Sequence, residues 1–317
     1  MKDNPRIVIS LVNWYRYEDT IQCIREIQQN IENIEYTISV VDNASPNDSY
    51  EKIKCECSNI RIVKSNENLG YAGGHLVNVE YAINNNYDAV WILNSDIILS
   101  RNSLAPLISA WQENGNHIYG SITVTEEEPN VVDFGGGLSW TDSPNEFVYN
   151  LYSGKKLEDL PTVKIREVQS VEGCSMLIPI EVIRQYGFMK TDFFLYGEEN
   201  DYCFRLYKYG IKSYVITDSV VIHSSSASFK LSTDISWIMA YYRRRNYLRL
   251  MSLYFGWSRM RIFKENNSIV SQIKFILKYL LYPSFRKSKK IDYYRLKGTF
   301  HSVMKVKGKT IEPNNYI

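Results

Sequence analysis

Short apolar segments alternate with helical patterns over the first 124 residues, and this alternation constrains the fold more than any other feature. Strand-like runs occupy residues 6–12, 36–42, 60–64, 89–93 and 117–124. The segments between them carry helical patterns of about 10–15 residues, a spacing that is typical of parallel βαβ units. The sequence therefore predicts an α/β protein with a doubly wound, mostly parallel sheet.

After residue 124 the pattern becomes irregular, with clustered glycines and scattered aromatic residues, and we expect hairpins and loops as far as residue 166. Strand and helix patterns return from residue 167. We therefore expect an α/β domain over residues 1–232, in two parts that meet near residue 124. A helical region over residues 233–317 would follow it.

Charge is distributed unevenly along this chain of 317 residues, whose formal net charge is only +2. From Arg243 onward there are 18 Lys and Arg against 3 Asp and Glu, whereas the rest holds 19 against 32. A basic tail on an acidic body predicts an anionic partner for the tail. Residues 269–281 place Lys274 and Lys278 on one face of an apolar helical pattern, as in helices that lie in a membrane interface. A helix packed on its own domain with a solvated basic face explains the pattern equally well.

No run of about 18 or more uncharged apolar residues occurs, so we expect no membrane-spanning helix. The first ten residues lack the apolar core and cleavage site of a signal peptide. The five cysteines are odd in number and have no metal-ligand spacing, which predicts reduced thiols in a cytoplasmic protein.

Acids follow two of the predicted strands. Asp96 comes directly after the buried run at residues 90–93, and Asp42 ends the second strand. Ligands of open α/β sheets bind beyond the carboxyl ends of the strands, and an acid at the second strand commonly bonds a nucleotide. We therefore expect Asp96 to contact a metal or a ligand. For Asp42, a nucleotide contact and a capped turn are equal alternatives.

Glycines follow the third strand, in the segment Asn66-Glu-Asn-Leu-Gly-Tyr-Ala-Gly-Gly74. They allow a ligand to approach the backbone, and the next helix offers free N–H groups to an anion. The Gly-x-Gly-x-x-Gly fingerprint and the P-loop pattern are both missing after the first strand, which argues against a nicotinamide site or a P-loop site.

Three acids, Glu198, Glu199 and Asp201, open a helix directly after the aromatic segment 193–196. Acids at a helix start can be a simple dipole effect of about 0.3–1 kcal/mol each. A carboxylate partly enclosed by aromatic rings can instead serve as a general base. His223 ends another strand-like run, where a lone histidine is more often structural. Together with Asp96, it would suit Mn²⁺ or Mg²⁺ held mainly by a substrate diphosphate.

In their order and spacing these segments resemble the inverting glycosyltransferases of family 2, which have the GT-A fold. The most similar branch contains rhamnosyltransferase-like enzymes of bacterial surface polysaccharides. The resemblance extends over residues 6–246, and nothing diagnostic follows. The matching segments are Asn13-Trp14, Val41 to Ser45, Asn68 to Gly74, Leu93 to Asp96, Val171 to Met176, Glu198 to Asp201 with Arg205, His223 with Ser226 to Ser228, and Arg245-Asn246.

The resemblance implies a donor-binding role for one group of side chains. Asp42 and Asp88 would contact the nucleoside. Asn94-Ser95-Asp96 would correspond to an Asp-x-Asp motif, with Asp96 as the ligand of Mn²⁺ or Mg²⁺. His223 would be a further metal or diphosphate contact. The remaining residues expected at the donor site are Asn13, Asn68, Gly70 and Arg205.

A second group would act on the acceptor. The resemblance implies that Glu199 removes the proton from the acceptor hydroxyl, with Glu198 as the alternative base. Asp201 and Arg205 would hold the start of this helix in place. A single base without an enzyme nucleophile implies inversion at the sugar carbon.

The sequence departs from the family pattern at three positions. Asn94 replaces the first carboxylate of the metal motif, which is frequent in this branch and implies weaker metal binding. Glu199 stands where Asp is more usual, so its side chain reaches one methylene further. His75 replaces a more common Asn, for which the sequence offers no explanation.

The implied reaction moves a sugar from a nucleotide-diphosphate sugar, with dTDP-rhamnose or a UDP-hexose as the expected donor. The acceptor would be a hydroxyl of a glycan or a lipid-linked saccharide in cell-surface polysaccharide synthesis. We expect the basic tail to dock on the inner face of the cell membrane, where lipid-linked acceptors reside. Nucleic acid fits less well, because aromatic stacking platforms interleaved with arginine are not evident in the tail. The oligomeric state stays open, with a homodimer as one option.

Two other functions share part of this pattern. A nucleotidyltransferase would also have a nucleotide cleft and metal-binding acids, but it normally carries a glycine-rich basic loop after its first strand. A non-catalytic scaffold that binds sugar nucleotides would keep the fold without needing Asp96, Glu199 and His223 together.

Overall fold

The computed structural model describes residues 4–99, 101–138, 149–224, 235–264 and 269–316. The chain forms two compact units. One comprises Met1–Met189 with Glu199–Lys230, and the other comprises Lys190–Glu198 with Leu231–Ile317. The second unit thus contains a short segment from the middle of the sequence in addition to the tail. The expected division of the chain at residue 232 assigns that segment to the α/β domain.

The first unit begins with strands and helices in the predicted order, with one additional short strand over residues 97–98, β5, that was not predicted from the sequence. These elements are β1 (Arg6–Asn13), α1 (Tyr17–Asn30), β2 (Glu35–Asp42), α2 (Ser49–Glu56), β3 (Arg61–Lys64), α3 (Gly70–Asn84), β4 (Ala89–Leu93), β5 (Ile97–Ile98), α4 (Leu104–Asn114) and β6 (Ile118–Thr125). β1 pairs in parallel with β2 and β4, and β2 pairs in parallel with β3. All five residues of β4 are buried, as expected for a strand covered on both faces.

Six further strands and two α-helices are described in the rest of the first unit. They are β7 (Val132–Phe134), β8 (Gly137–Leu138), β9 (Tyr149–Asn150), β10 (Ile165–Val168), β11 (Ser175–Pro179), α5 (Ile180–Tyr186), α6 (Glu198–Tyr207) and β12 (Ser213–His223). Glu198, at the start of α6, belongs to the second unit. The strand order of the main sheet is β10-β12-β6-β11-β4-β1-β2-β3. β12 has an irregularity between Ile216 and Val220, where its pairing with β6 shifts register. The predicted mixed α/β class is confirmed.

Alternating side chains of each strand build a hydrophobic layer on each face of the sheet. In β1, Ile7 and Ile9 pack on the side of α1, α2 and α4, whereas Val8 packs on the side of α3, α5 and α6. The helices are therefore held on both faces by buried apolar residues. This packing leaves the ends of the strands as the places where polar side chains can gather.

Strand direction decides which residues share an edge of the sheet. β6 and β12 are parallel to each other, and β11 runs antiparallel to both β4 and β6. The carboxyl ends of β1, β2, β4, β6 and β12 therefore lie at one edge, together with the start of β11. At that edge Ser175 pairs with Leu93, and His223 pairs with Ile97.

The second unit is helical, as predicted for the region beyond residue 233. Its helices are α7 (Ser236–Tyr254), α8 (Arg259–Lys264), α9 (Ile269–Leu281), α10 (Pro283–Ser288) and α11 (Lys290–Val303). Gly298 allows α11 to approach α7 closely, because a Cβ atom there would lie 2.7 Å from the carbonyl oxygen of Tyr241. Within the described residues, every helix falls short of the length and apolar character that a membrane span needs.

The middle segment of the second unit is bound to α7 through backbone carbonyls. Asn246 Nδ2 donates to the carbonyl oxygens of Phe193, Leu195 and Tyr196, at 2.9, 2.7 and 2.8 Å. Arg245, fully buried, donates to the same Phe193 carbonyl at 2.6 Å. The pair Arg245-Asn246, which belongs to the family resemblance, therefore shapes the chain directly before α6.

Candidate active site

Asn13 and Asp42 join the carboxyl ends of β1 and β2. Asn13 Nδ2 donates to Asp42 Oδ1 at 2.8 Å, and Ser45 donates to the same oxygen from Oγ at 2.5 Å. Ser45 also donates from its backbone N–H to Asp42 Oδ2, at 3.2 Å. Asn13 and Asp42 are both fully buried. Asp42 therefore lies at the predicted edge, where its carboxylate shapes the loop, and its contact with a nucleoside stays a prediction.

The glycine segment before α3 is attached to this loop by Asn43. Asn43 Nδ2 donates to Asn68 Oδ1 at 3.2 Å and to the carbonyl oxygen of Gly70 at 3.0 Å. Leu69 in turn donates from its backbone N–H to Asn43 Oδ1 at 2.8 Å. Gly70 has a φ of +73°, which favours glycine. The structure thus brings Asn68 and Gly70 next to the Asp42 loop, as the sequence predicts for one binding region.

Asp96, Asn94 and His223 meet at the same edge. His223 Nε2 lies 3.3 Å from Asp96 Oδ1 and 3.3 Å from Asn94 Nδ2. Asp96 is 8% exposed. Burial by itself lowers the pKa of His223, but the hydrogen bond and the negative charge of Asp96 raise it above its usual value. The predicted segment Ser226 to Ser228 lies outside the described residues.

Two further side chains join this group from the loop before β11. The possible ligand atoms of Glu172, Cys174 and His223 all lie within 4.8 Å of one another. The backbone N–H of Asn94 donates to the carbonyl oxygen of Cys174 at 3.0 Å, which places the two loops side by side. Sequence reasoning assigned no role to Glu172, although its segment belongs to the resemblance. The antiparallel pairing that brings it here has no local signal in the sequence.

The donor set fits a hard divalent cation. Carboxylates and imidazole are ligands of Mn²⁺, and carboxylate oxygens also bind Mg²⁺. Burial raises the pKa of the Cys174 thiol well above its usual value, and the thiol hydrogen-bonds to Glu172 Oε2 at 3.3 Å. Sulfur is a soft ligand that suits Zn²⁺, Cu(I) and iron–sulfur clusters, whereas Mn²⁺ and Mg²⁺ prefer oxygen ligands. We therefore regard Asp96, His223 and Glu172 as the residues that would hold the ion.

The acids at the start of α6 differ in exposure. Glu198 is 1% exposed and Asp201 is fully buried, whereas Glu199 is partly exposed and accepts a hydrogen bond from Asn200 Nδ2 at 2.9 Å. Of the two glutamates, Glu199 is therefore the more accessible to solvent. Asp201 lies 3.8 Å from Arg205 Nε, as expected for a helix-stabilising pair.

Arg205 does not support its predicted donor-binding role. Its guanidinium donates to the carbonyl oxygens of Tyr186 and Phe188, both at 2.8 Å. These bonds attach α6 to the segment after α5. Arg205 donates these hydrogen bonds to backbone carbonyls inside the protein, so it holds α6 in position. This agrees with its second implied role, which is to hold the start of the helix in place together with Asp201.

The structure corrects the prediction for Asp88. Asp88 precedes β4 and accepts a hydrogen bond from the backbone N–H of Arg6, at 2.9 Å, at the amino end of β1. The five residues of β4 separate it from the Asp96 edge by about 17 Å. Asp88 therefore lies at the opposite end of the sheet from the candidate site and cannot contact a nucleoside bound there.

His75 is a core residue. It is 1% exposed, its Nδ1 lies 2.7 Å from Ser10 Oγ, and its ring packs edge-on against Tyr71. Burial lowers the pKa of His75 to about 3, so the ring is neutral. The departure from the family pattern at this position is therefore structural.

Known proteins are similar to this chain in sequence and in fold. Residues 7–159 match the family model described as Glycosyl transferase family 2. The solved structures with the same architecture include GalNAc-T7 with UDP, GalNAc and Mn²⁺, which has a TM-score of 0.61 at 12% identity. The fold is GT-A. For GalNAc-T7 the match covers 96% of this chain and 59% of the other.

Two further GT-A structures are similar. Mannosyltransferase PcManGT from Pyrobaculum calidifontis, in complex with GDP-Man and Mn²⁺, has a TM-score of 0.57 at 10% identity, over 95% of this chain and 88% of the other. S. aureus TarS 1-349 has a TM-score of 0.51 at 11% identity, over 94% of this chain and 89% of the other.

A relative by sequence is the low-salt glycan biosynthesis hexosyltransferase Agl10 of Haloferax volcanii. It is 26% identical over 208 residues, which are 65% of this chain. The chain spans 62% of the length of that relative. The rhamnosyltransferase-like branch stays a prediction.

Proposed function

We propose that this protein is a glycosyltransferase that moves a sugar from a nucleotide-diphosphate donor to a hydroxyl acceptor. The observation that carries the proposal is the pairing of Asp96 with His223, 3.3 Å apart. This pair lies at the same edge of the sheet as the loops of Asp42 and Gly70. A metal-binding acid beside nucleotide-binding loops at the carboxyl edge is the arrangement that such a donor requires.

The names of the relatives support the nature of the donor. The relative by sequence is a hexosyltransferase of glycan biosynthesis, and two of the similar structures contain Mn²⁺ with UDP or GDP-Man. We therefore propose Mn²⁺ or Mg²⁺ as the cofactor. A UDP-hexose or dTDP-rhamnose is the proposed donor, and a glycan or lipid-linked saccharide of the cell surface is the proposed acceptor.

The residues of the chain would divide the reaction between them. The ion, when bound, would neutralise the negative charge that develops on the departing diphosphate. Asp96, His223 and Glu172 would hold it. Glu199 would accept the proton of the acceptor hydroxyl, and Asp201 with Arg205 would keep the start of α6 in place. Attack by the acceptor itself, with no enzyme nucleophile, would invert the configuration of the sugar carbon.

Thermal melting against UDP, TDP and GDP and their sugars, with and without Mn²⁺, tests this function. A ligand at about 100 times its dissociation constant stabilises by roughly 2.7 kcal/mol, a shift of several degrees. We expect a Mn²⁺-dependent shift with one nucleotide, followed by release of that nucleoside diphosphate when its sugar and an acceptor are added. Nucleotide binding without sugar transfer would indicate a non-catalytic scaffold. Release of pyrophosphate from a nucleoside triphosphate would indicate a nucleotidyltransferase. No shift with any nucleotide would refute the proposal.

We further propose that the second unit docks on an anionic membrane through α9. Four apolar side chains on one stripe of α9 are exposed, namely Ile273, Leu277, Leu280 and Leu281 at 52, 52, 59 and 69%. The buried side of the helix carries Gln272 and Tyr279 instead. A helix that only packed on its own domain would bury its apolar stripe, so this exposure favours an interfacial role.

The charge around this stripe favours anionic lipid as the partner. Lys274 and Lys278 lie on α9 itself, and Arg286 and Lys287 are exposed on the following helix α10. Each basic residue near an anionic surface contributes about 1 kcal/mol to binding. Exposed leucines flanked by lysines thus match a bilayer that carries negative headgroups.

Flotation with vesicles of phosphatidylcholine and phosphatidylglycerol tests the docking surface. Leu277→Ser combined with Leu281→Ser should abolish binding, whereas Leu253→Ser, which changes a leucine that is 51% exposed on α7, should not. Vesicles of pure phosphatidylcholine should bind less. Equal flotation of the two variants would overturn this proposal and leave the transferase proposal untouched.

A further inference from the structure

Glu172 reaches the metal-binding edge from a different strand than the acid of the family motif. It lies in the loop between β10 and β11, three residues before β11 begins. β11 runs antiparallel to β4, so that the entrance of β11 lies beside the exit of β4. The hydrogen bond from Asn94 N–H to the Cys174 carbonyl, at 3.0 Å, connects the two loops directly.

The contacts of Glu172 hold its side chain without neutralising it. Thr123 Oγ1 donates to Glu172 Oε2 at 3.0 Å, and Cys174 Sγ donates to the same oxygen at 3.3 Å. Both donors are uncharged. In the described part of the chain, Glu172 forms no ion pair with a lysine or an arginine, and the hydrogen bonds to its carboxylate go to Oε2. Its negative charge and its second oxygen therefore remain available beside His223.

Asn94 leaves the metal motif one carboxylate short. It occupies the position at which the family resemblance places the first acid of Asp-x-Asp, and its amide carries no charge. Its Nδ2 lies 3.3 Å from His223 Nε2, so the position of the absent acid is part of the same group of side chains. Asp96 and Glu172 together restore two negative charges around His223.

We propose that Glu172 supplies to the metal site the carboxylate that Asn94 lacks. The site would then take one acid from the loop after β4, one from the loop before β11 and the imidazole at the end of β12. Two carboxylates and one imidazole suit Mn²⁺ or Mg²⁺ bound together with a nucleoside diphosphate. This inference rests on the proposed function, and it explains how the chain can lose an acid of the motif and keep the metal.

Isothermal titration of Mn²⁺ into the full-length protein, in the presence of UDP, TDP or GDP, tests the inference. Glu172→Gln keeps the shape of the side chain and an oxygen for Thr123, but it removes the charge. We expect Mn²⁺ affinity to fall by at least about tenfold, with little change in the metal-free melting temperature. Glu127→Gln is the matched control, because it removes one exposed acid just beyond β6 and should leave Mn²⁺ affinity unchanged.

A second substitution distinguishes a ligand from a merely structural residue. Asn94→Asp restores the acid of the motif, so it should return most of the lost Mn²⁺ affinity when it is combined with Glu172→Gln. Unchanged affinity in Glu172→Gln, or no recovery in the double variant, would overturn the inference while leaving the transferase proposal in place. A wild-type protein that binds neither nucleotide nor Mn²⁺ would overturn both.

Discussion

His223 Nε2 lies 3.3 Å from Asp96 Oδ1, so the last residue of β12 meets the acid that follows β4. The two residues are far apart in the sequence, and the parallel arrangement of β4, β6 and β12 brings them to one edge. A carboxylate and an imidazole in contact, with Asp96 only 8% exposed, form a small and partly enclosed ligand set.

Substitution of Asp96 should remove the metal dependence of nucleotide binding. Asp96→Asn keeps the shape of the side chain but takes away the charge that would bind the ion. We expect the affinity for the nucleoside diphosphate in the presence of Mn²⁺ to fall by at least about tenfold, towards its metal-free value. Calorimetric titration with and without Mn²⁺ measures this. A variant with the metal dependence of the wild type would contradict the assignment, and Asp159→Asn, which changes an exposed acid in the loop before β10, serves as the control.

Substitution of Glu199 should separate catalysis from donor binding. Glu199→Gln removes the proton acceptor, so kcat should decrease by about 10²–10⁴-fold while the Mn²⁺-dependent binding of the nucleotide stays unchanged. Transfer assays together with nucleotide titration give both values. Glu181→Gln, on the exposed side of α5, is the control that should leave kcat unaltered. Full turnover by Glu199→Gln would exclude this residue as the base.

Ser45 should stabilise the loop after β2. Its hydroxyl donates to Asp42 Oδ1 at 2.5 Å and accepts from the backbone N–H of Tyr15 at 2.9 Å. Ser45→Ala removes one of the two hydrogen bonds to Asp42 Oδ1, leaving that of Asn13, and takes away the acceptor of the half-buried Tyr15 N–H. We expect the free energy of unfolding to decrease by about 1–3 kcal/mol. Tyr15 and Ala44 both have positive φ, +72° and +57°, so the loop also depends on this bond for its shape. Urea unfolding measures the loss, and an unchanged midpoint would argue against this role.

His75 should make stability depend on pH. Its pKa is about 3 in the folded protein because of burial, and about 6.5 in an unfolded chain. Between these values only the unfolded chain binds the proton. The free energy of unfolding should therefore fall as the pH decreases below 6.5, by up to about 1.4 kcal/mol per pH unit from this group. In His75→Asn this contribution to the pH dependence of the unfolding free energy should disappear. Urea unfolding between pH 7.5 and about pH 4.5, a range that stays above the folded pKa of His75, measures it. Identical slopes in the two proteins would contradict the prediction.

Gly298 should be required for the packing of α11 on α7. Helix propensity alone favours alanine over glycine by about 1 kcal/mol. A Cβ atom at this position, however, would lie 2.7 Å from the Tyr241 carbonyl oxygen and 3.1 Å from the Arg245 nitrogen. Gly298→Ala should therefore destabilise the protein by about 1–3 kcal/mol, opposite in sign to the propensity effect. Thermal unfolding tests this, with Arg295→Ala on the same helix as the control, and a stabilised variant would refute the packing argument.

The fold of the first unit could be predicted because its information is local. Each of β1, β2, β3, β4 and β6 is an apolar run, and a helical pattern separates it from the next of these runs, as is typical of parallel units. The antiparallel position of β11 between β4 and β6 could not be predicted, because strand pairing over a long sequence separation leaves no local pattern. Glu172 was overlooked for the same reason.

The candidate site could be predicted where an acid follows a strand. Asp96 and Asp42 follow the exits of parallel strands and lie at the expected edge. Asp88 precedes its strand, so strand direction alone places it at the opposite edge. The nucleoside contact that the resemblance implies for Asp88 was therefore wrong. Arg205 could not be assigned from the sequence, since an arginine on a helix may bind a ligand or a backbone carbonyl, and only the positions of Tyr186 and Phe188 show which.

The discontinuity of the second unit limits how evolution or an engineer can recombine this protein. A cassette that can be cut out and fused elsewhere must be one stretch of sequence, but this unit needs the segment Lys190–Glu198 as well as the tail. Asn246 binds that segment through three backbone carbonyls, so a transplanted tail would lack its partner. A tail joined at residue 232 would therefore have to form these bonds with the middle segment of its new host, so the two parts of the unit are better exchanged together.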